Sequence, residues 1–408
     1  MSATMAAAPN ARMSLGLVSL GHFCSHFFML SLAPLFPLMQ PEFGVNYTAL
    51  GAIITVFSVA SGAGQFPMGL LVDRVGARHI LTGGLMLLAG SIALMSITTS
   101  YTAVLVLAFL AGLGNSVFHP ADYAILGANV SAQRMGRAFS LHTFAGHFGF
   151  AAAPISIIFL TTLTDWRTAL GIVGLFGLAA AAIFIFKRQH LTVPRRAAHV
   201  PTAAQPKPVS NWGLLLSAPV LLLFLFYTMT GGITTGLSGF LPTAVSHLHG
   251  IDLIGSSAMV TGLLASSATG VLVGGFVADR FRRFDLIAGV GYTCSALSLC
   301  VIALVPLPVP GMVAVFCLTG FMVGIITPSR DLLVRGVTPP GKTGAVFGFV
   351  STGLDVGGAL APLLFGMLID YGMPIGIFIA AAGFMMLSMT AGIAVTRMRK
   401  PAVAAAAE

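Results

Sequence analysis

The ten residues GLLVDRVGAR, 69 to 78, set Asp73, Arg74 and Arg78 between two long apolar runs, near 47 to 72 and 78 to 98. About 20 mainly apolar residues in α-helix cross a hydrocarbon core of about 30 Å. The quoted stretch therefore reads as a short charged loop between two membrane spans. Ten further runs of the same kind follow outward from it, near 14 to 38, 102 to 124, 138 to 163, 167 to 186, 213 to 241, 254 to 278, 286 to 306, 311 to 333, 344 to 369 and 374 to 396. Of 408 residues, 57% are hydrophobic and 8% charged, where a soluble domain carries about 25% charge, and the mean hydropathy is +0.96. A water-soluble fold is excluded. The runs are continuous and not alternating, so strands of about 10 residues closing into a barrel are excluded as well. The expected fold is all-α, with twelve transmembrane helices.

Short loops keep Lys and Arg on the cytoplasmic side of a membrane. With the N-terminus inside, 19 of the 20 basic residues fall on that side and only Arg167 does not. The expected location is a bacterial-type inner membrane, multi-pass, with both termini cytoplasmic. The net charge of +9 then follows from topology, and no nucleic-acid partner is called for. The first apolar run is too long for a cleaved signal peptide and reads as the first span. Cys24, Cys294, Cys300 and Cys317 lie inside predicted helices, with no spacing of a zinc site or disulfide framework.

The longest polar stretch, 187 to 211, is basic and proline-rich. It is read as a cytoplasmic linker between a six-helix bundle at 1 to 186 and a second at 212 to 400, with a disordered tail at 401 to 408. The halves also overlay. A shift of 206 matches Gly64, Gly69, Asp73 and Arg74 with Gly270, Gly275, Asp279 and Arg280; a shift of 208 matches Pro120, Gly149 and Pro154 with Pro328, Gly357 and Pro362. Six-helix repeats in parallel orientation place a pseudo-two-fold axis along the membrane normal and a solute site near the midplane between the halves, an arrangement suited to alternating access.

A second loop, GFVADRFRR at 275 to 283, repeats the first. One such loop after helix 2 and another after helix 8 resemble the cytoplasmic loop motif of the major facilitator superfamily, over nearly the whole chain. Gly69, Asp73, Arg74, Gly76 and Arg78 match the motif, Gly275, Asp279 and Arg280 its degraded copy, and Ala77 departs from it. The resemblance implies a conformational role for the loop. Gly69 is expected to permit close helix contact and Asp73 to accept hydrogen bonds at a helix N-terminus of the opposite half; the arginines also fit a plain anchoring role. NSVFHPAD, 115 to 122, is similar to the fosmidomycin-resistance branch, which implies efflux of small anionic antibiotics. Ala108, where drug-proton antiporters often carry arginine, and the separation of Gly149 from Pro154 depart from the antiporter pattern.

Ionisable groups inside membrane helices cost roughly 2.5 to 3.5 kcal/mol on insertion scales and usually face a bundle interior or a wet cavity. His22, Ser25 and His26 share one face of helix 1, and Tyr227, Thr230 and Thr234 the counterpart in helix 7. They read as a cavity lining or as bonds to neighbouring helices. Asn115, His119 and Asp122 align on helix 4, and a shift of 208 places Asp122 opposite Arg330 on helix 10. That pair reads as a structural gate, while Arg330 is also the best fork for an anion. Thr143 and His147 on helix 5 superimpose on Ser351 and Asp355 on helix 11. Asp355, near mid-helix, reads as a proton carrier or as an acid satisfied by local hydroxyls, with Asp122 and His147 as further titratable candidates. His142 falls on another face of helix 5 and reads as packing or interhelical bonding.

No phosphate-cradling loop, catalytic constellation or metal-ligand spacing is present, so the chain is not read as an enzyme and no cofactor or metal is expected. The substrate-binding candidates are His22, Ser25, His26, Asn115, His119, Tyr227, Thr230 and Arg330. The expected function is secondary active, proton-coupled transport of a small polar, anionic organic solute, leaning to efflux. Uptake by proton symport is the alternative, and a membrane receptor without transport a more distant one. Solute, protons and the lipid bilayer are the expected partners of a monomer.

Overall fold

The computed structural model describes residues 11–131, 134–193, 212–281, 283–338 and 343–398. Most of the expected linker and the whole of the expected tail lie outside them. Twelve helical segments among the described residues are long and apolar enough to cross a membrane, and the chain divides into two compact units, Met1–Thr202 and Ala203–Glu408.

The first unit holds α1 (Ala11–Phe43), α2 (Tyr47–Val72), α3 (Ala77–Met95), α4 (Tyr101–Asn129), α5 (Leu141–Leu163) and α6 (Trp166–Phe186). Within it α1 packs mainly on α5, α2 on α4, and α3 on α4 and α6. The second unit holds α7 (Ala218–His249), α8 (Leu253–Ala278), α9 (Phe284–Leu304), α10 (Val309–Val337), α11 (Phe349–Asp370) and α12 (Ile375–Met398). There α7 packs on α11, α8 on α10, and α9 on α10 and α12. The second set of pairings repeats the first, as the sequence overlay requires.

In lipid no hydrophobic force draws one apolar helix to another, so close van der Waals packing at small residues does that work. Gly149 on α5 and Gly357 on α11, equivalent under the shift of 208, show it. A Cβ at Gly149 would collide with the Phe23 carbonyl of α1, and one at Gly357 with the Thr228 carbonyl of α7. Large apolar side chains such as Phe66, Phe186 and Phe276 are exposed. An apolar surface of this kind suits lipid and not water.

Several spans are interrupted. The helix of α1 stops at Met29, passes through a 3-10 turn at Ala33–Leu35 and resumes at Phe36–Phe43. Pro34 and Pro37 explain the break, since proline lacks the donor and its ring crowds the carbonyl one turn back. Ser31 Oγ donates at 2.7 Å to the Phe27 carbonyl, which also accepts the Leu30 N–H. In α7 the corresponding region is a π-helical stretch, Gly232–Leu237. In α4, Pro120 sits just after a break between Asn115 and Phe118, whereas its counterpart Pro328 lies inside the uninterrupted helix Val309–Val337.

Arg167, the exception to the charge rule, is held locally. It pairs with Glu42, its Nε donating at 2.8 Å; its Nη1 donates to the Ser96 and Thr98 carbonyls; and its guanidinium lies 4.4 Å from the Trp166 ring centre. The neighbouring Asp165 caps α6 by accepting from the Thr168 hydroxyl and from the backbone N–H groups of Thr168 and Arg167, and the Thr168 bond holds its carboxyl below the usual range.

Candidate functional site

The loop at 69 to 78 owes one residue to backbone geometry. Gly76 ends the helix Tyr47–Val75 with φ at 101°, its N–H donating to the Val72 carbonyl, a conformation open mainly to glycine. Arg74 is exposed, and Arg78 Nε donates to His79 Nε2 at 3.2 Å. The side chains of Asp73 and Asp279 lie outside the described residues. Among the described residues, a Cβ at Gly69 would meet Pro120 in ordinary contact at 3.8 Å, and one at Gly275 would meet nothing within 4 Å. The α2–α4 approach is instead tightest at Gly112, where a Cβ would strike the Phe57 carbonyl.

Inside the first unit, α1, α4 and α5 bring together five polar side chains. Asp122 is fully buried, with Oδ2 at 3.7 Å from His22 Nδ1 and 3.6 Å from His142 Nε2. The His22 ring centre lies 4.3 Å from that of His26, 4.0 Å from His142 and 5.6 Å from His119. His119 is exposed. Gly146 makes this possible, because a Cβ there would run into the His22 and His26 rings.

His142 thus belongs to the cluster and is not mere packing. Helical periodicity sorts residues on one helix but says nothing of which face meets which neighbour. The available signal was Gly146, one turn after His142: a small residue marks the face where another helix comes close. Both carboxylate oxygens of Asp122, His22 Nδ1, His26 Nδ1 and both nitrogens of His142 have no hydrogen-bond partner among the described residues. Next to the cluster, Asn115 accepts from Ser25 Oγ at 2.6 Å and donates to Ser61 Oγ at 3.0 Å, tying α1, α4 and α2. Asn115 and Asp122 sit on opposite sides of the break in α4. His147 Nδ1 lies 3.0 Å from the Thr143 carbonyl of its own helix.

In the second unit Arg330 has partners close at hand. Its side chain is 13% exposed, Nε donates to Asp331 Oδ1 at 3.0 Å, and the guanidinium lies 4.4 Å from the ring centre of Tyr227. Tyr227 in turn donates to the same Asp331 oxygen at 2.8 Å. Asp331 thereby emerges as a site residue that the sequence pattern underweights. Thr230 donates to the Phe226 carbonyl of its own helix at 2.9 Å. Asp355 is partly buried on α11.

The sequence profile of the Major Facilitator Superfamily matches residues 18–269 and 234–408. The chain belongs to this superfamily. It is a secondary transporter and multi-pass membrane protein, not an enzyme. Among similar proteins is the fosmidomycin resistance protein of Escherichia coli, 26% identical over 364 residues, with 88% of this chain and 86% of that protein covered. Another is a protein named probable sulfoacetate transporter from Cupriavidus necator, 24% identical with 88% and 87% covered. Among solved structures, an inward-facing bacterial homologue of the human lysosomal transporter Spinster superposes with a TM-score of 0.80 at 13% identity, over 97% of this chain and 99% of that one. A mutant of the nucleoside transporter NupG gives 0.75 at 16% identity, over 95% and 100%. These likenesses establish the fold.

Proposed function

We propose that this major facilitator carries a small organic anion by proton-coupled alternating access, as a monomer in a bacterial inner membrane with both termini cytoplasmic, and that it works as an exporter. The observation that carries the reading is Arg330. A guanidinium is charged at any working pH and presents a fork that fits carboxylate, phosphonate or sulfonate. In Arg330 the Nε edge is engaged by Asp331 and the face by Tyr227, an arrangement that orients the fork. A cation–π contact of this kind contributes about 0.5 to 2 kcal/mol according to its desolvation. Relatives named for fosmidomycin and for sulfoacetate add support, both names denoting anions; the former supports the outward direction. Asp355 carries the proton, with His147 as a further member of the relay, and Asp73 in the 69-to-78 loop governs the rate of the cycle.

The test is a thermal-shift panel of carboxylates, sulfonates and phosphonates on the purified protein. At least one anion stabilises the wild type and fails to stabilise Arg330→Ala. If the arginine serves only its pairing with Asp331, the double variant Arg330→Ala with Asp331→Ala recovers anion stabilisation, and that recovery would sink the ligand role.

A further inference from the structure

The cluster on α1, α4 and α5 does something the anion site does not require. His22 Nδ1, Asp122 Oδ2 and His142 Nε2 all lie within 4.8 Å of one another and are buried. They converge with no protein donor between them among the described residues. At 3.6 and 3.7 Å the imidazole–carboxylate separations are too long for hydrogen bonds. A zinc-type ion sits about 2.0 to 2.2 Å from imidazole nitrogen and carboxylate oxygen, so an ion bound to each such pair would subtend an angle of roughly 120°.

We infer that His22, Asp122 and His142 form a divalent transition-metal site inside the first bundle. Two imidazoles and one carboxylate suit Zn²⁺, Co²⁺ or Ni²⁺, while harder Mg²⁺ and Ca²⁺ prefer all-oxygen sets. The three ligands come from three helices, so no short-spaced motif reveals them. Gly146 presses against the Nε2 side of His22, leaving Nδ1 as the ligating atom. The His119 ring centre lies 5.6 Å from that of His22, and water or an exchangeable ligand would take the fourth position of such an ion. The carboxylate offsets one of the ion's two charges, and the ion in turn gives Asp122 the counter-charge that a buried carboxylate needs.

The test uses the full chain, purified through a tag without histidines, stripped with chelator and held in nanodiscs. Zn²⁺ is titrated calorimetrically with metal content measured after desalting, and Co²⁺ by visible absorption. The expected result is one Zn²⁺ per chain, thermal stabilisation by Zn²⁺ and Co²⁺ bands of low-coordinate geometry. His142→Gln and His22→Gln each weaken binding roughly tenfold or more, whereas the exposed change His79→Gln near the start of α3 leaves it intact. Absence of saturable binding to the wild type would overturn the site. So would binding unchanged in His142→Gln and His22→Gln but lost with His79→Gln, which would mark adventitious surface capture. Neither result bears on Arg330 or the anion.

Discussion

In the proposed cycle, Asp355 is the residue on which coupling rests. It is half-buried on α11, where the neighbouring Thr352 hydroxyl donates to the Phe349 carbonyl. Asp355→Asn keeps the size and fixes the neutral form. The expected outcome is solute exchange across liposomes at near wild-type rate with loss of pH-driven accumulation; a variant that still responds fully to the gradient would move the proton to His147. Gly146 is the second residue-scale test. Its side chain's absence lets α5 meet the His22 and His26 rings, so Gly146→Val overpacks that contact at a cost of about 1 to 3 kcal/mol. A fall in melting temperature, with the His22–Asp122–His142 geometry lost, is the expected result, and unchanged stability would contradict the packing described. Residue type and spacing pointed to His22, His26 and Asp122, because a polar group in an apolar run is conspicuous. They did not reveal that His142 faces the same point or that Arg330 turns to its own neighbour Asp331, since both depend on side-chain direction and on which helix lies opposite.

The helices were legible to different degrees. The expected α6 at 167 to 186 and α8 at 254 to 278 agree with Trp166–Phe186 and Leu253–Ala278 to a residue, because charged or capping residues bound them. The expected α7 at 213 to 241 misses Ala218–His249 by several residues at each end. The apolar run begins before the helix proper, and the helix carries on through polar residues to Gly250, whose φ of 66° ends it. The breaks in α1 and α4 follow from Pro34, Pro37 and Pro120, yet Pro328 and Pro362 sit inside continuous helices; proline marks a place where a span can break, and packing decides whether it does. The loop glycine gives the prediction at this scale. Gly76→Ala forces a Cβ into φ 101°, a strain of roughly 1 to 3 kcal/mol. The variant should melt lower than the wild type in detergent, while Gly83→Ala, whose Cβ would meet nothing within 4 Å, should not. Equal melting of the two would contradict the assignment.

At the scale of the whole molecule, composition and the doubled loop motif carried the fold, and each six-helix unit repeats the pairing of the other. Function is a separate matter, because the superfamily fold carries many solutes on the same twelve helices. The central claim is that the chain couples an organic anion to protons. The direct measurement is flux in proteoliposomes containing the purified protein and an anion that stabilises it, with and without an imposed pH gradient and with the membrane potential clamped. The account predicts that the gradient alone drives the anion against its concentration gradient, that a proton ionophore abolishes this, and that Arg330→Ala shows neither accumulation nor exchange. Anion flux that runs only downhill and at the same rate with or without the gradient would contradict it.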